Sequence, residues 1–162
     1  MNLEESRRKK IVEFQAALEQ GPCLSDDQVD KVLPVKHYFA NGQYAREMAI
    51  PRGVILVGKI HKHEHLNFIT KGEVSFLSEF EPMRIKAPYT FASPAGTKRI
   101  IFAHEDTLWT TIHNTEKTDL DEIEKEVIAE SYLEIGMDEP MPETEMIEAI
   151  KKALEGGLKC LG

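Results

Sequence analysis

The chain has only two cysteines, Cys23 and Cys160, near opposite ends and without the close spacing of a thiolate metal site. Neither a disulfide framework nor a cysteine-ligated zinc site can organise it, and a reducing cytoplasm is the expected setting. Long apolar runs are also missing. No stretch approaches the roughly 18 residues needed to cross a bilayer, and the N-terminus is polar where a signal peptide is greasy, so a soluble, unexported protein is expected. Positive charge is in short supply: 20 Lys and Arg face 28 Asp and Glu, for a formal net charge of -8. That balance argues against coating nucleic acid or an anionic membrane and leaves small molecules and proteins as partners. The chain contains no G-x-S-x-G elbow and no phosphate-binding G-x4-G-K-[ST] loop. Serine, cysteine and phosphate-loop chemistries are therefore set aside.

What is present suits one ordinary core, with 162 residues of which 41% are hydrophobic. Residues 2–20 lack Gly and Pro and repeat Ile11, Phe14 and Leu18 at helical spacing before Gly21 and Pro22, which predicts an amphipathic helix. Its Arg7, Arg8, Lys9 and Lys10 read as a solvated or subunit-contacting face. Ser25, Asp26 and Asp27 are placed to cap a short helix ending at Pro34. From His37 the pattern changes to short β-branched and aromatic runs cut by turns such as Asn41-Gly42, Lys71-Gly72 and Pro94-Ala95-Gly96. Strands are predicted near 43–50, 54–61, 66–69, 73–79, 83–86, 89–92, 98–103 and 107–113, the signature of an antiparallel sandwich or barrel. After Thr115 the periodicity is helical again: Thr118 is placed to cap Leu120, Ile123, Val127 and Ile128, and Met146, Ile147, Ile150 and Leu154 define a last helix. The division is a helical extension over 1–35, a β core over 36–115 and helices over 116–162, in one compact domain.

The chemistry concentrates in GVILVGKIHKHEHLNFITKGE, Gly53 to Glu73, where His61, His63 and His65 alternate within a strand-like stretch. Residues two apart on a strand share a face, so Lys59, His61 and His65 are expected to project into one space if the turn at 62–64 keeps parity. Imidazole suits metal ligation, acid/base work or anion binding.

The same stretch resembles the first motif of the cupin superfamily, G-x5-H-x-H-x3-E-x6-G, with Gly53, Lys59, His61, His65 and Gly72 falling on its five positions. PYTFASPAGTKRIIFA is similar to the second motif, G-x5-P-x-G-x2-H-x3-N: Pro94 and Gly96 match, while Pro88, Arg99 and Ala103 stand where glycine, histidine and asparagine would be. From Lys36 to Ile128 the chain also resembles small cupins of tailed bacteriophages, through GKIHKHEHLN, AGTKR, EDTLWTTIH and DLDEIE. The resemblance implies a mainly β fold, a cupin-type antiparallel β-barrel (double-stranded jelly roll) with N- and C-terminal helices. It also implies a viral origin, placing the protein in the host cytoplasm, and a homodimer or higher homo-oligomer.

Metal-binding cupins ligate with two histidines and a glutamate of the first motif and a histidine of the second. Here those positions hold Lys59, His61, His65 and Arg99. His61 and His65 could ligate a divalent Zn, Fe, Mn or Ni only with a further histidine, from among His113, in phase with Trp109 and Thr111, His63 and His104. Lys59, His61, His65 and Arg99, with Trp109 or His113 on the pocket wall, suit an anionic small molecule, because guanidinium is a planar fork for carboxylate or phosphate. Glu47 or Glu73 would be the internal alternative to such an anion. Tyr44, Phe68, Phe76, Phe91, Phe102 and Trp109 could stack on a ring, though most belong to the core. Four functions stand open. The leading one binds an anionic nucleotide-like signal or metabolite, sequestering a host molecule. The others are a metal-dependent dioxygenase or isomerase, a metal-free enzyme similar to sugar-nucleotide epimerases with a histidine base and Lys59 as acid, and an interaction protein with a relic site.

Overall fold

The computed structural model describes residues 2–21 and 26–155. Helix α1 (Leu3–Glu19) starts where the Asn2 side chain accepts from the Glu5 amide at 2.9 Å and the Glu5 carboxylate accepts from the Asn2 amide in return. This reciprocal cap satisfies two amides that have no partner in the helix. After α2 (Asp26–Val32) come ten strands: β1 (Val35–Ala40), β2 (Gln43–Ile50), β3 (Ile55–Val57), β4 (Ile60–His61), β5 (His65–Lys71), β6 (Glu73–Leu77), β7 (Pro82–Lys86), β8 (Tyr89–Ser93), β9 (Ile100–Ala103) and β10 (Thr107–Asn114). Helix α3 (Leu120–Val127), a short strand β11 (Ile128–Ala129), a 3-10 turn at Leu133–Ile135 and α4 (Thr144–Glu155) complete the described chain.

The strands form two antiparallel sheets, ordered β1-β2-β10-β5-β8 and β3-β9-β6-β7, with β11 paired to β4. Successive strands cross between the sheets, so chain neighbours are rarely sheet neighbours; this is the order of a double-sheeted jelly roll. Ile50, Ile69 and Trp109 from the first sheet meet Leu56, Val74, Phe76, Ile85, Ile101 and Ala103 from the second in one apolar core. Phe14 and Leu18 of α1 and Leu154 of α4 cover the outer face of the second sheet at Ile55, Val57, Ile100 and Phe102. The expected mainly β jelly roll with helices at both ends is thus what the chain adopts.

Several local expectations are corrected. Strand β1 was not foreseen, because VKHYFA is largely exposed and lacks the alternation that marks a half-buried strand. The single strand expected over 54–61 is broken at Gly58–Lys59, where the Gly58 amide donates to the Arg99 carbonyl. The cap of α3 is Asp119, whose side chain accepts from the Glu122 amide at 3.0 Å, in place of Thr118. Residues 116–162 also contribute β11 to the barrel. The capping expected of Ser25 lies outside the described residues.

Gly72 carries the chain from β5 in one sheet to β6 in the other with φ +90°, and a Cβ there would lie 2.5 Å from the Asp106 carbonyl oxygen and 2.8 Å from Thr107 Cα. Both obstacles are backbone, so neither can swing aside. Gly72→Ala is expected to cost more than about 2 kcal/mol, read as a lowered denaturation midpoint; an unchanged midpoint would show that this crossing relaxes freely.

Candidate functional site

Strand β5 buries alternate residues, and His65, Asn67 and Ile69 face the barrel interior while Leu66 is exposed. Strand β10 does the same with Trp109 and His113. Strand β4 brings His61, held to the 96–99 loop by its amide donating to the Thr97 carbonyl at 3.2 Å and its carbonyl accepting from the Gly96 amide at 2.7 Å. The three imidazoles therefore meet: ring centres lie 4.2 Å apart for His61–His65, 4.9 Å for His65–His113 and 5.4 Å for His61–His113.

Burial holds these rings neutral. His61 is pushed down to about 2 and His113 to about 4, each by desolvation first and then by neighbouring histidines and arginine; His65 is lowered as well, again mainly by desolvation. His65 Nδ1 lies 3.1 Å from the His63 carbonyl, so it must carry the proton and Nε2 the lone pair. That Nε2, like His61 Nδ1, is buried without a hydrogen-bond partner.

Arg99 is brought beside the histidines, 7% exposed, with its guanidinium over the Phe76 and Phe91 rings at 5.1 and 5.5 Å. Its Nη2 donates to Ser93 Oγ at 2.6 Å, and Ser93 Oγ also accepts from Asn67 Nδ2 at 2.6 Å, while Asn67 Oδ1 accepts from Trp109 Nε1 at 2.9 Å. Desolvation lowers Arg99 to about 10, and Glu79 acts in the opposite direction. Glu79 is 1% exposed; its own carboxyl is raised by burial, with Oε2 accepting from the Lys98 amide at 3.4 Å and Oε1 unpartnered. Arg99 Nε is a buried donor without an acceptor.

Of the residues expected in the site, His61, His65, His113 and Arg99 come together. Lys59 does not. With the strand broken at Gly58–Lys59 the shared parity is lost, and Lys59 sits in solvent paired with Glu124 of α3. An unpartnered buried ammonium would be costly, and this outward pairing avoids it. His63 is exposed in the turn, and His104 lies elsewhere, 2.7 Å from Ser75 Oγ. Trp109 belongs to the core and reaches the site through its bond to Asn67 and through the Phe76 and Phe91 rings beneath Arg99. Glu73 pairs with Arg84, and Glu47 takes a 3.4 Å bond from the Tyr38 hydroxyl. Sequence reasoning missed Asn67, Ser93 and Glu79. The first was legible as a polar residue in phase with His65; nothing marked Glu79.

The donor set can be tested against a metal. Three imidazoles ligating one ion at about 2.0–2.1 Å place their ring centres roughly 4.5–5.2 Å apart, which the observed separations bracket. Among the described residues, however, no group of three or more His, Cys, Asp or Glu is arranged to hold an ion. The set fits by residue type, neutrality and the proximity of its rings, but not as the side chains stand in this structure.

Neutral buried histidines make stability depend on pH. Their folded pKa values lie below the unfolded value near 6.5, so the unfolded chain takes up protons first as pH falls. Metal-free protein is expected to be most stable above about pH 6.5 and to lose about 1.4 kcal/mol per pH unit for each of His61 and His113 between there and about pH 4, with His65 acting in the same direction. Urea midpoints across that range check it, and His113→Gln should flatten the slope; a wild-type midpoint independent of pH would contradict the burial.

No protein-family profile matches the chain, and no curated protein does. Among solved structures the chain is similar to KdgF from Halomonas sp., with a TM-score of 0.48 and 17% identity over 62% of this chain and 98% of that one. It is also similar to a cupin-2 domain containing protein from Shewanella frigidimarina, with TM-score 0.43 and 10% identity over 50% of this chain and 79% of that one. A third is an acetylacetone dioxygenase from Acinetobacter johnsonii, with TM-score 0.42 and 15% identity over 51% of this chain and 59% of that one. Likenesses at this level leave the site to be argued from its own residues.

Proposed function

We propose that the chain is a cupin-type protein that holds a divalent transition metal on His61, His65 and His113 and an anionic small molecule beside it on Arg99. The observation that carries this reading is the arrival of His113 next to His61 and His65, all three neutral and two with a buried, unpartnered nitrogen. Neutral imidazole is the ligating form, and Zn, Fe, Mn or Ni suits a nitrogen set. Such an ion, once bound, supplies Lewis acidity. The protein's part is to keep the imidazoles deprotonated, to exclude water by burial, and to present the Arg99 guanidinium at an orientation fixed by Ser93 and Asn67. A cation beside a metal is unfavourable unless an anion lies between them, and the unpartnered Arg99 Nε supplies a donor for one. The likeness to small bacteriophage cupins would make the anion a metabolite or nucleotide-like signal of the host cell.

A second reading keeps the anion and omits the metal. It is supported by Arg99 standing where a fourth ligand would be and by the lack, among the described residues, of a carboxylate grouped with the histidines. With Lys59 in solvent, the epimerase-like variant loses its acid, and Arg99 is the site's main cationic anchor.

Protein purified without a histidine tag and incubated with each metal in turn should carry one ion per chain by native mass spectrometry. His61→Ala, His65→Ala and His113→Ala should each release it. Arg99→Ala should keep the ion and weaken a co-purifying anion by an amount on the order of 2–5 kcal/mol. Retention of anion by a chain that takes up none of the four metals would select the metal-free reading, and loss of the metal in Arg99→Ala would contradict the division of roles.

A further inference from the structure

The basic run of α1 is turned inward. Arg7 Nη1 donates to the Glu79 carbonyl at 3.4 Å, the Arg8 guanidinium carbon lies 4.9 Å from the centre of the Tyr132 ring, and Lys9 pairs with Glu143. Glu79, just beyond the end of β6, is 1% exposed. Burial raises its carboxyl, and its own and the Lys98 amides, then the Arg8 and Arg99 charges, act against that rise. Its Oε1 is a buried acceptor without a donor, while Arg99 Nε is a buried donor without an acceptor, and each group lies in the other's field. Joining them would satisfy both in one charge-assisted bond. They are not joined. The Lys98 amide holds Oε2 at 3.4 Å, Arg7 holds the Glu79 backbone, and Arg8 is a rival cation on the side of α1.

We propose that Glu79 is an internal competitor for Arg99, held back by α1, and that it restricts the site to ligands bearing a phosphoryl-type dianion rather than a single carboxylate. The inference rests on the reading that Arg99 takes an anion. A monocarboxylate offers Arg99 no more charge than Glu79 does. Glu79 is tethered beside the guanidinium at high effective concentration, whereas a free carboxylate gives up its translational freedom on binding. A phosphoryl group carries about two charges above neutral pH and three acceptor oxygens, so it exceeds what the competitor supplies. The N-terminal helix is then part of the binding device, since it keeps Glu79 from closing on Arg99.

Isothermal titration calorimetry of the full chain with inorganic phosphate and with acetate at about pH 8, every variant in the same metal state, tests this. The wild type should bind phosphate and show no saturable binding of acetate up to about 10 mM. Glu79→Gln removes the competing charge at nearly constant volume; it should tighten phosphate by at least about fivefold and acquire acetate binding. Arg8→Met should weaken phosphate by at least about threefold in the wild type but not in Glu79→Gln, and Arg8→Lys should restore it. The Arg8 pair carries the test should Glu79→Gln fail to fold. Phosphate binding that is lost in Arg99→Ala yet unmoved by Glu79→Gln or by Arg8→Met overturns this inference alone. Binding that survives Arg99→Ala, or no binding in either the wild type or Glu79→Gln, overturns the anion reading with it.

Discussion

The burial of Arg99 is the constraint on which the barrel's interior depends. A guanidinium that cannot lose its proton must be met by acceptors and ring faces wherever it is taken out of water. Ser93, Phe76 and Phe91 meet it here, with Glu79 as the nearby opposing charge. Ser93 is in turn held by Asn67, and Asn67 by Trp109. A chain of hydrogen bonds thus runs from the apolar core to the charged end of the site, and each member limits the orientations of the next. Such networks are costly when incomplete. The remaining unpartnered atoms, Arg99 Nε, His61 Nδ1 and His65 Nε2, mark the positions where a ligand has most to contribute.

The histidines answer the same constraint from the other direction. Imidazoles can lose their charge, and beside a fixed cation in a dry interior they do so. The cluster consequently presents lone pairs next to one positive group, an arrangement suited to a metal and an anion held together. The segment after the barrel closes this region: β11 pairs with β4, the Lys62 ammonium bonds to the Lys125 carbonyl and pairs with Glu134, and Lys59 pairs with Glu124. The acidic stretch that reads as a solvated helical face thus supplies the counter-charges for the turn carrying His61.

The jelly roll was legible because its strands are punctuated by Gly and Pro and because the spacing Gly53, His61, His65, Gly72 survives intact. His61, His65 and Arg99 were placed by that spacing, and His113 by its parity with Trp109. Lys59 was misplaced because parity assumes an unbroken strand, whereas the chain leaves the β3–β9 pairing after Gly58, and Lys59 pairs with Glu124 in solvent. Strand β1 escaped notice because an edge strand with two wet faces has no alternation. Glu79 and Ser93 became visible only in space, since their roles rest on contacts between strands that sequence spacing does not relate.

X-ray absorption at the edge of the bound metal addresses the central claim most directly, because it reports which atoms surround the ion irrespective of activity. The account predicts a first shell at about 2.0–2.1 Å with the multiple-scattering pattern of three imidazoles, reduced to two in His113→Ala. A shell of oxygens without imidazole scattering, or one unaltered by loss of His113, would contradict it.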